Sequence, residues 1–396
     1  SRRTGETVAL LLLDLDHFKN VNDSLGHDVG DQLLIEVAAR VQASVRSGDL
    51  VARLGGDELA VLLPPPADAD EAHAVAERLL AALRAPLTPA GREVFVTASI
   101  GISLNGAAGQ SVEEMLRDAD VAMYRAKGAG RNRIVLFEPE MHAQALRRLE
   151  REAELRSSVD QQGFAVYYQP IVCLEDERIA GFEALVRWQH PVLGLVGPGE
   201  FIDLAEETGL IVPIGRDVLR AACQAIRAWN DDSPGHAPLF VAVNLSVHQL
   251  EQPDIVDDVR LAIEESGVDP AWLTLEITES AMLRDSEATV ALLTELKRLG
   301  VRLAMDDFGT GYSSLSYLQR LPLDIVKIDK AFVDDIHTGA RPAALARVIV
   351  TMAETLRMET IAEGVECVEQ LACVRRIGST YYQGYYYARP LPAAVT

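Results

Sequence analysis

From about residue 156 onward the chain keeps one regular beat: a short apolar run that reads as a strand, then a stretch with helical spacing. The strand-like runs are "LFVAVNLS", "LTLEITES", "VRLAMDDFG", "DIVKIDK", "METIAEGVE" and "STYYQGYYY". Repeated βα units over about 240 residues predict an α/β TIM-type (β/α)8 barrel. Each run carries a polar group at or near its C-terminal end: Asn244, Glu276, Asp306 with Asp307, Lys327, Glu363 and Gln383. An earlier run, "RIAGFEALVRW", adds Glu183. In such a barrel those ends converge on one mouth, where active sites sit. A single acidic residue there would serve as a helix cap. A whole set in register is not explained by capping.

Asp306 and Asp307 stand side by side after a buried strand and before glycine. Burying like charges together is costly unless positive charge lies between them. The set is made of oxygen donors, with no cysteine or histidine, and selects hard cations such as Mg²⁺ or Mn²⁺. Two ions sharing a bridging carboxylate would neutralise the aspartates, and a paired-metal site suits in-line displacement at phosphorus. Lys327 adds a positive charge that orients water or balances the developing phosphorane. On residue types the second half is a metal-dependent phosphodiesterase, and a one-metal lyase of the enolase type stays open as the alternative.

The length, 396 residues, suggests two or three domains. A formal net charge of −22 argues against DNA binding, which needs clustered Lys and Arg, and suits the gathering of divalent cations. Cys173, Cys223, Cys367 and Cys373 form no CxxC pair and read as reduced thiols of a cytoplasmic protein. The aliphatic run "VALLLL" is far shorter than the ~18 residues that cross a bilayer. No signal peptide precedes it. Opening on Ser1, the chain reads as an excised piece, with an upstream sensor or membrane region expected.

The first 138 residues have another rhythm. "VALLLLDLD" is a buried strand, "DVGDQLLIEVAARVQASV" a helix, and "DLVARLGGDELAVLLP" two apolar runs broken by Gly-Gly-Asp, a hairpin signal. Further helix and strand patterns predict an α+β domain with a mixed or antiparallel sheet. Residues 141–159 read as a charged amphipathic helix joining the halves. Alone, the glycine pair reads as an ordinary hairpin turn; it also lets a backbone approach a phosphate group closely, and Asp57, Glu58 and Asp14 are residues that can bind Mg²⁺. The division expected is 1–138, a helical linker over 139–155, and 156–396.

Across nearly all of 156–396, the ordered pieces "YYQPIV", "EALVRWQHP", "VNLS", "LEITES", "DDFGTGYSSL", "VKIDK", "AEGVE" and "QGYYYARPL" resemble the EAL domain of cyclic di-GMP phosphodiesterases. The resemblance implies that Glu183, Asn244, Glu276 and Asp306 hold one metal, and Asp306, Asp307 and Glu363 the other. It implies that Lys327 assists the nucleophilic water, that Gln383 lies by the metals or substrate, and that Arg187 grips a phosphate. Glu279 would tether the loop "DDFGTGYSSL", which links metal binding to dimer contacts in the family. Glu366 and Asp329 fit the pattern as well, and a structural role accounts for each equally.

The first half, through "DLDHFKNVNDSLGHDVGD", "RLGGDEL", "ASIGIS" and "YRAKGAGRNR", resembles the GGDEF domain of diguanylate cyclases, a palm-type nucleotide-cyclase fold. The resemblance implies that Asn22 and Asp31 read guanine and that Lys127 and Arg131 hold phosphates of GTP. It also implies that Arg46 and Asp49 of "RSGD" form an inhibitory site for cyclic di-GMP. Two departures are visible. Leu59 replaces the motif's Phe, and the family's upstream "DxLTGLxNR" segment is absent. Cyclase chemistry also needs two such domains, each with one GTP, so a homodimer is expected. The resulting expectation is a protein of cyclic di-GMP turnover, with hydrolysis in the second half and synthesis or GTP-dependent regulation in the first. A non-catalytic receptor for cyclic di-GMP is the rival, and loss of a metal ligand would favour it.

Overall fold

The run "VALLLLDL" becomes strand β1 (Val8–Leu15), apolar almost throughout because both of its faces are covered. It lies at the centre of a five-stranded sheet, flanked by β3 (Glu58–Leu63) and β4 (Ala98–Asn105). Beyond these lie β2 (Leu50–Gly55) and β5 (Ile134–Leu136). All neighbours are antiparallel except β4 and β5, which makes the sheet mixed. Helices α1 (Phe18–Leu25), α2 (His27–Ala43), α3 (Ala69–Leu83) and α4 (Val112–Gly128) complete this part. With period-two alternation, Leu11, Leu13 and Leu15 join Leu33, Val37 and Leu79 on one face. Leu10 and Leu12 meet Met115, Ala119 and Met123 of α4 on the other. Gly101 of β4 makes the close fit of α4 possible, since a Cβ there would lie 2.0 Å from the Ala119 carbonyl oxygen.

The computed structural model describes residues 7–65, 67–105, 110–233, 235–282, 286–309 and 318–395. Its contacts divide the chain into two units, Ser1–Arg151 and Glu152–Thr396. The charged segment between the sheets forms one helix, α5 (Glu140–Asp160), within a residue at each end of the span predicted from sequence. No helix among the described residues is long and apolar enough to cross a membrane.

The second unit is a closed barrel of eight strands. They are β6 (Phe164–Cys173), β7 (Ile179–His190), β9 (Phe240–Asn244), β10 (Leu273–Thr278), β11 (Arg302–Phe308), β12 (Ile325–Ile328), β13 (Glu359–Ala362) and β14 (Tyr381–Tyr382). Short strands β8 (Gly194–Val196) and β15 (Leu391–Pro392) hang from β7 and β6. The barrel departs from eight parallel βα units in one respect: β6 runs antiparallel to both its neighbours, β7 and β14. Residues 174–178, which join β6 to β7, are too few for the dozen-residue crossover a parallel pair needs.

Inside the barrel, Ile171, Phe240, Ala242, Ala304, Ile325 and Ile361 form an apolar layer of their own. Side chains alternate between faces, so a step of two residues along a strand returns to the interior about 6–7 Å higher. That step leads from Ala242 to Asn244, Ala304 to Asp306, Ile325 to Lys327 and Ile361 to Glu363. The ionisable groups therefore form a second layer on an apolar floor, as expected of residues converging on the mouth. On β6 the direction is reversed, and the step up from Ile171 leads back to Gln169.

Candidate active site at the barrel mouth

The Lys327 ammonium stands at the centre of the ionisable layer and is 1% exposed. Its Nζ lies 2.7 Å from Glu276 Oε2, 2.7 Å from Glu363 Oε1, 3.1 Å from Asp306 Oδ1 and 3.7 Å from Glu183 Oε1. Asn244 Nδ2 donates to Glu183 Oε1 at 2.8 Å, and Gln383 Nε2 donates to Glu183 Oε2. These residues come from β7, β9, β10, β11 and β12 and from the residues following β13 and β14. A cleft of about 280 Å³ opens over them.

The paired aspartates are brought to one place by the backbone. Neighbouring residues of a regular strand point to opposite faces. Here the β11–β12 pairing shifts register between Met305 and Phe308, and Asp307 takes a left-handed conformation at φ 55°. That combination re-aims Asp307, so that one carboxylate oxygen each from Asp306, Asp307 and Glu363 lies within 4.8 Å of the others. A positive φ on a non-glycine residue costs on the order of 1–3 kcal/mol and persists where the surroundings impose it.

Burial drives the titration behaviour. It raises Glu276 well above the usual carboxylate range, and Lys327 only partly opposes it. Glu363 is pushed up to about 8 by burial, again against the pull of Lys327. Asp307 is raised by burial and by the charge of Asp306. In Glu183 burial is outweighed by Lys327 and by hydrogen bonds from Gln383 and Asn244, and the carboxyl is lowered. Burial alone would lower Lys327, yet the charges of Asp306, Glu183, Glu276 and Glu363 hold it well above its normal value.

A pH dependence follows for the chelated protein. Glu363 holds a proton when folded up to about pH 8, whereas an unfolded glutamate releases it near 4.5. Between those values the folded state binds more protons, so its stability falls as pH rises. Melting in EDTA is expected to give a lower Tm at pH 8 than at pH 5.5, and excess Mg²⁺ to raise the pH 8 value most. A Tm in EDTA that rises over this range would contradict the arrangement.

The donor set fits divalent cations. Glu183, Glu276, Asp306, Asp307 and Glu363 carry five negative charges when ionised and Lys327 one positive, leaving four, the charge of two divalent ions. Glu276 Oε1 and Gln383 Oε1 are buried acceptors with no hydrogen-bond partner among the described residues.

The other residues singled out in this half lie around this centre. Arg187 is half-buried, its guanidinium 5.6 Å from the Tyr167 ring centroid. Glu279 Oε2 accepts the Gly309 N–H at 2.9 Å, where "DDFGTGYSSL" begins. Residues 310–317 of that loop region lie outside the described residues. Asp329 caps the short helix Lys330–Val333, and Glu366 pairs with Lys330 at 2.6 Å. Sequence reasoning missed Gln169, whose carbonyl accepts from Gln383 Nε2 at 3.1 Å, and Lys330 on the cleft wall. A lone amide inside the apolar run "FAVYYQPIVC" was the available signal.

In the first unit Asp14, the last residue but one of β1, lies opposite Glu58 in register, and its Oδ2 lies 2.7 Å from Lys127 Nζ. Burial raises Asp14, opposed by the Lys127 hydrogen bond and assisted by Asp57 and Glu58. The β2–β3 turn runs through Gly56 (φ 51°) and Asp57. Asn22 of α1 sits against Gly30, the residue before Asp31; a Cβ on Gly30 would strike the Asn22 amide. Arg131 follows α4 in a left-handed conformation, its N–H bonded to the Ala126 carbonyl. Nearby Asp16, missed from sequence, is buried and accepts from Thr97, Ser99 and the Asn132 N–H, which fixes the loop after Arg131. Arg46 and Asp49 lie in the turn before β2. Asp49 accepts the Arg46 N–H, and the Arg46 guanidinium pairs with Glu71 of α3 at 2.7 Å.

Comparison with known proteins identifies the families of both units. The EAL domain family matches residues 152–390, and the diguanylate cyclase GGDEF domain family matches 1–133. The chain is 44% identical over 393 residues to the cyclic di-GMP phosphodiesterase NbdA of Pseudomonas aeruginosa, covering 99% of this chain and 50% of that protein. It is 44% identical over 391 residues to the bifunctional diguanylate cyclase/cyclic di-GMP phosphodiesterase MucR of the same organism, covering 99% and 57%. The chain thus spans about half the length of these curated relatives. Among solved structures, the PaMucR phosphodiesterase in complex with c-di-GMP superposes with a TM-score of 0.59 at 42% identity, over 61% of this chain and 98% of that one. The chain belongs to the EAL domain family, with a GGDEF domain preceding its EAL barrel.

Proposed function

We propose that the barrel hydrolyses cyclic di-GMP to the linear dinucleotide with two divalent cations, Mg²⁺ or Mn²⁺. The observation that carries this reading is a cluster of five carboxylates, four of them ringing one buried lysine, which exceed that lysine by four negative charges when all are ionised. Glu183, Asn244, Glu276 and Asp306 would hold one cation, and Asp306, Asp307 and Glu363 the other. Bound there, the cations would supply Lewis-acid charge to the phosphodiester and acidify a water. The chain's own groups would do the rest. Arg187 would grip a phosphate by a forked pair of hydrogen bonds. Lys327, kept protonated by its neighbours, would donate to the attacking water and offset charge as the water oxygen bonds to phosphorus and the P–O3′ bond breaks. Glu279 would hold Gly309 and the loop beyond it. The full complement of ligand residues favours an enzyme over a receptor without catalysis. Incubation with cyclic di-GMP and Mn²⁺ is expected to give the linear dinucleotide, and EDTA to abolish it; intact substrate in Mn²⁺ would refute the reading.

For the first unit we infer a GTP site, either making cyclic di-GMP from two GTP in a homodimer or binding GTP as a regulator. Asp14, Asp57 and Glu58 would hold Mg²⁺, Lys127 and Arg131 the phosphates, and Asn22 and Asp31 the guanine. Arg46 and Asp49 would form an inhibitory site for cyclic di-GMP, with the arginine leaving Glu71 to take a phosphate or guanine edge. A cytoplasmic location suits both nucleotides and the unpaired cysteines. GTP with Mg²⁺ is expected to bind the chain measurably by calorimetry, and Asp57→Ala with Glu58→Ala to weaken it at least about tenfold, the scale of a lost charged contact. No affinity in the unaltered chain would reduce this unit to a scaffold.

A further inference from the structure

Gln169 has no part in the set read from sequence, yet it is 7% exposed and lies in the ionisable layer. Its position follows from the reversed direction of β6, where it stands in register with Glu183. Its Nε2 donates to the Ala388 carbonyl at 3.1 Å, which fixes the amide and leaves Oε1 as an acceptor. Gln383 Nε2 donates to that Oε1 at 3.1 Å and also to Glu183 Oε2. With both Nε2 hydrogens engaged, Gln383 Oε1 is left on the cleft wall, buried and without a partner among the described residues.

The alternative orientation of the Gln383 amide would put two N–H donors where that oxygen stands and withdraw the hydrogen bond from Glu183. A donor aimed at a cation site is repelled, and a carboxylate ligand that loses its outer partner binds less well. Ala388 lies five residues beyond Gln383, so the same amide also ties β6 to the segment that returns to the rim. Gly384 allows the tight course of that segment, since a Cβ there would lie 2.1 Å from the Val365 carbonyl oxygen.

We propose that Gln169 is a positioning residue of the hydrolytic site, which locks the Gln383 amide so that its oxygen faces the cations and its nitrogen holds Glu183. The proposal rests on the two-cation reading above. It acts through Gln383, so its effect must vanish when Gln383 is replaced.

The test is a double-mutant cycle in the full chain with Gln169→Met, Gln383→Met and the pair. Mn²⁺ binding is read by calorimetry as the component absent from Glu183→Ala, alongside kcat, KM and Tm. Gln169→Met is expected to weaken Mn²⁺ binding about tenfold, as outer-shell changes do, and to lower kcat similarly with KM within about twofold. In the Gln383→Met background it should change neither. Gln169→Glu, whose buried carboxylic acid offers the same donor and acceptor, should stay within about threefold of wild type, and it carries the test if the methionine variant does not fold. Wild-type Mn²⁺ affinity in Gln169→Met, equal losses in both backgrounds, or a glutamate variant as impaired as the methionine one would overturn the proposal. The Mn²⁺ cycle is read without substrate, so a chain that hydrolyses nothing would count against the phosphodiesterase reading and leave this cycle to decide the role of Gln169.

Discussion

Glu183→Ala is expected to reduce hydrolysis of cyclic di-GMP by at least about a thousandfold, at or beyond the upper end of what loss of one group stabilising the transition state costs. The side chain joins Asn244, Gln383 and Lys327, so its loss would remove one of the proposed cation ligands and also take a partner from two amide donors. The melting temperature should fall only modestly, because deleting one of five carboxylates relieves repulsion while it breaks hydrogen bonds. Steady-state kinetics in saturating Mn²⁺ checks this. A variant retaining a tenth of the wild-type rate would remove Glu183 from the machinery.

Lys327→Met should have the other large effect, and it separates stability from catalysis. Four carboxylates approach the ammonium within 3.7 Å, and removing one partner of a buried ionic cluster costs about 3–5 kcal/mol. In EDTA at pH 8 the variant is expected to melt far below wild type, or to be unfolded. At pH 5 it should recover, since glutamates that take up protons no longer need the lysine. Saturating Mn²⁺ should restore the fold by replacing the lost charge, while hydrolysis stays at least about a hundredfold down. Denaturation in EDTA and in Mn²⁺, with rates on the refolded variant, reads both arms. Full stability in EDTA at pH 8 would mean that the carboxylates are not ionised around the lysine.

Much of this site was legible in the sequence because parallel strands with period-two side chains turn a linear pattern into a ring. Asn244, Glu276, Asp306, Lys327 and Glu363 could be placed at one mouth from spacing alone. Gln169 escaped that logic, since β6 runs the other way and its inward polar residue comes before the apolar one. The antiparallel start of the barrel rests on a short connection that no strand pattern announces. The Asp306–Asp307 pair raised its question in sequence, but its resolution through a register shift and a left-handed aspartate is a backbone property invisible to composition. In the first unit the glycine hairpin was readable from its turn signal. The pairing of Arg46 with Glu71 was not, because it depends on where α3 packs.

The central claim is that water attacks the phosphodiester at the barrel mouth, and hydrolysis in H₂¹⁸O tests it most directly. With Mn²⁺ present, mass spectrometry of the linear dinucleotide should show one ¹⁸O in its terminal 5′-phosphate and none elsewhere, and Glu183→Ala should form no labelled product. Label-free product, or label formed equally by Glu183→Ala, would contradict the account.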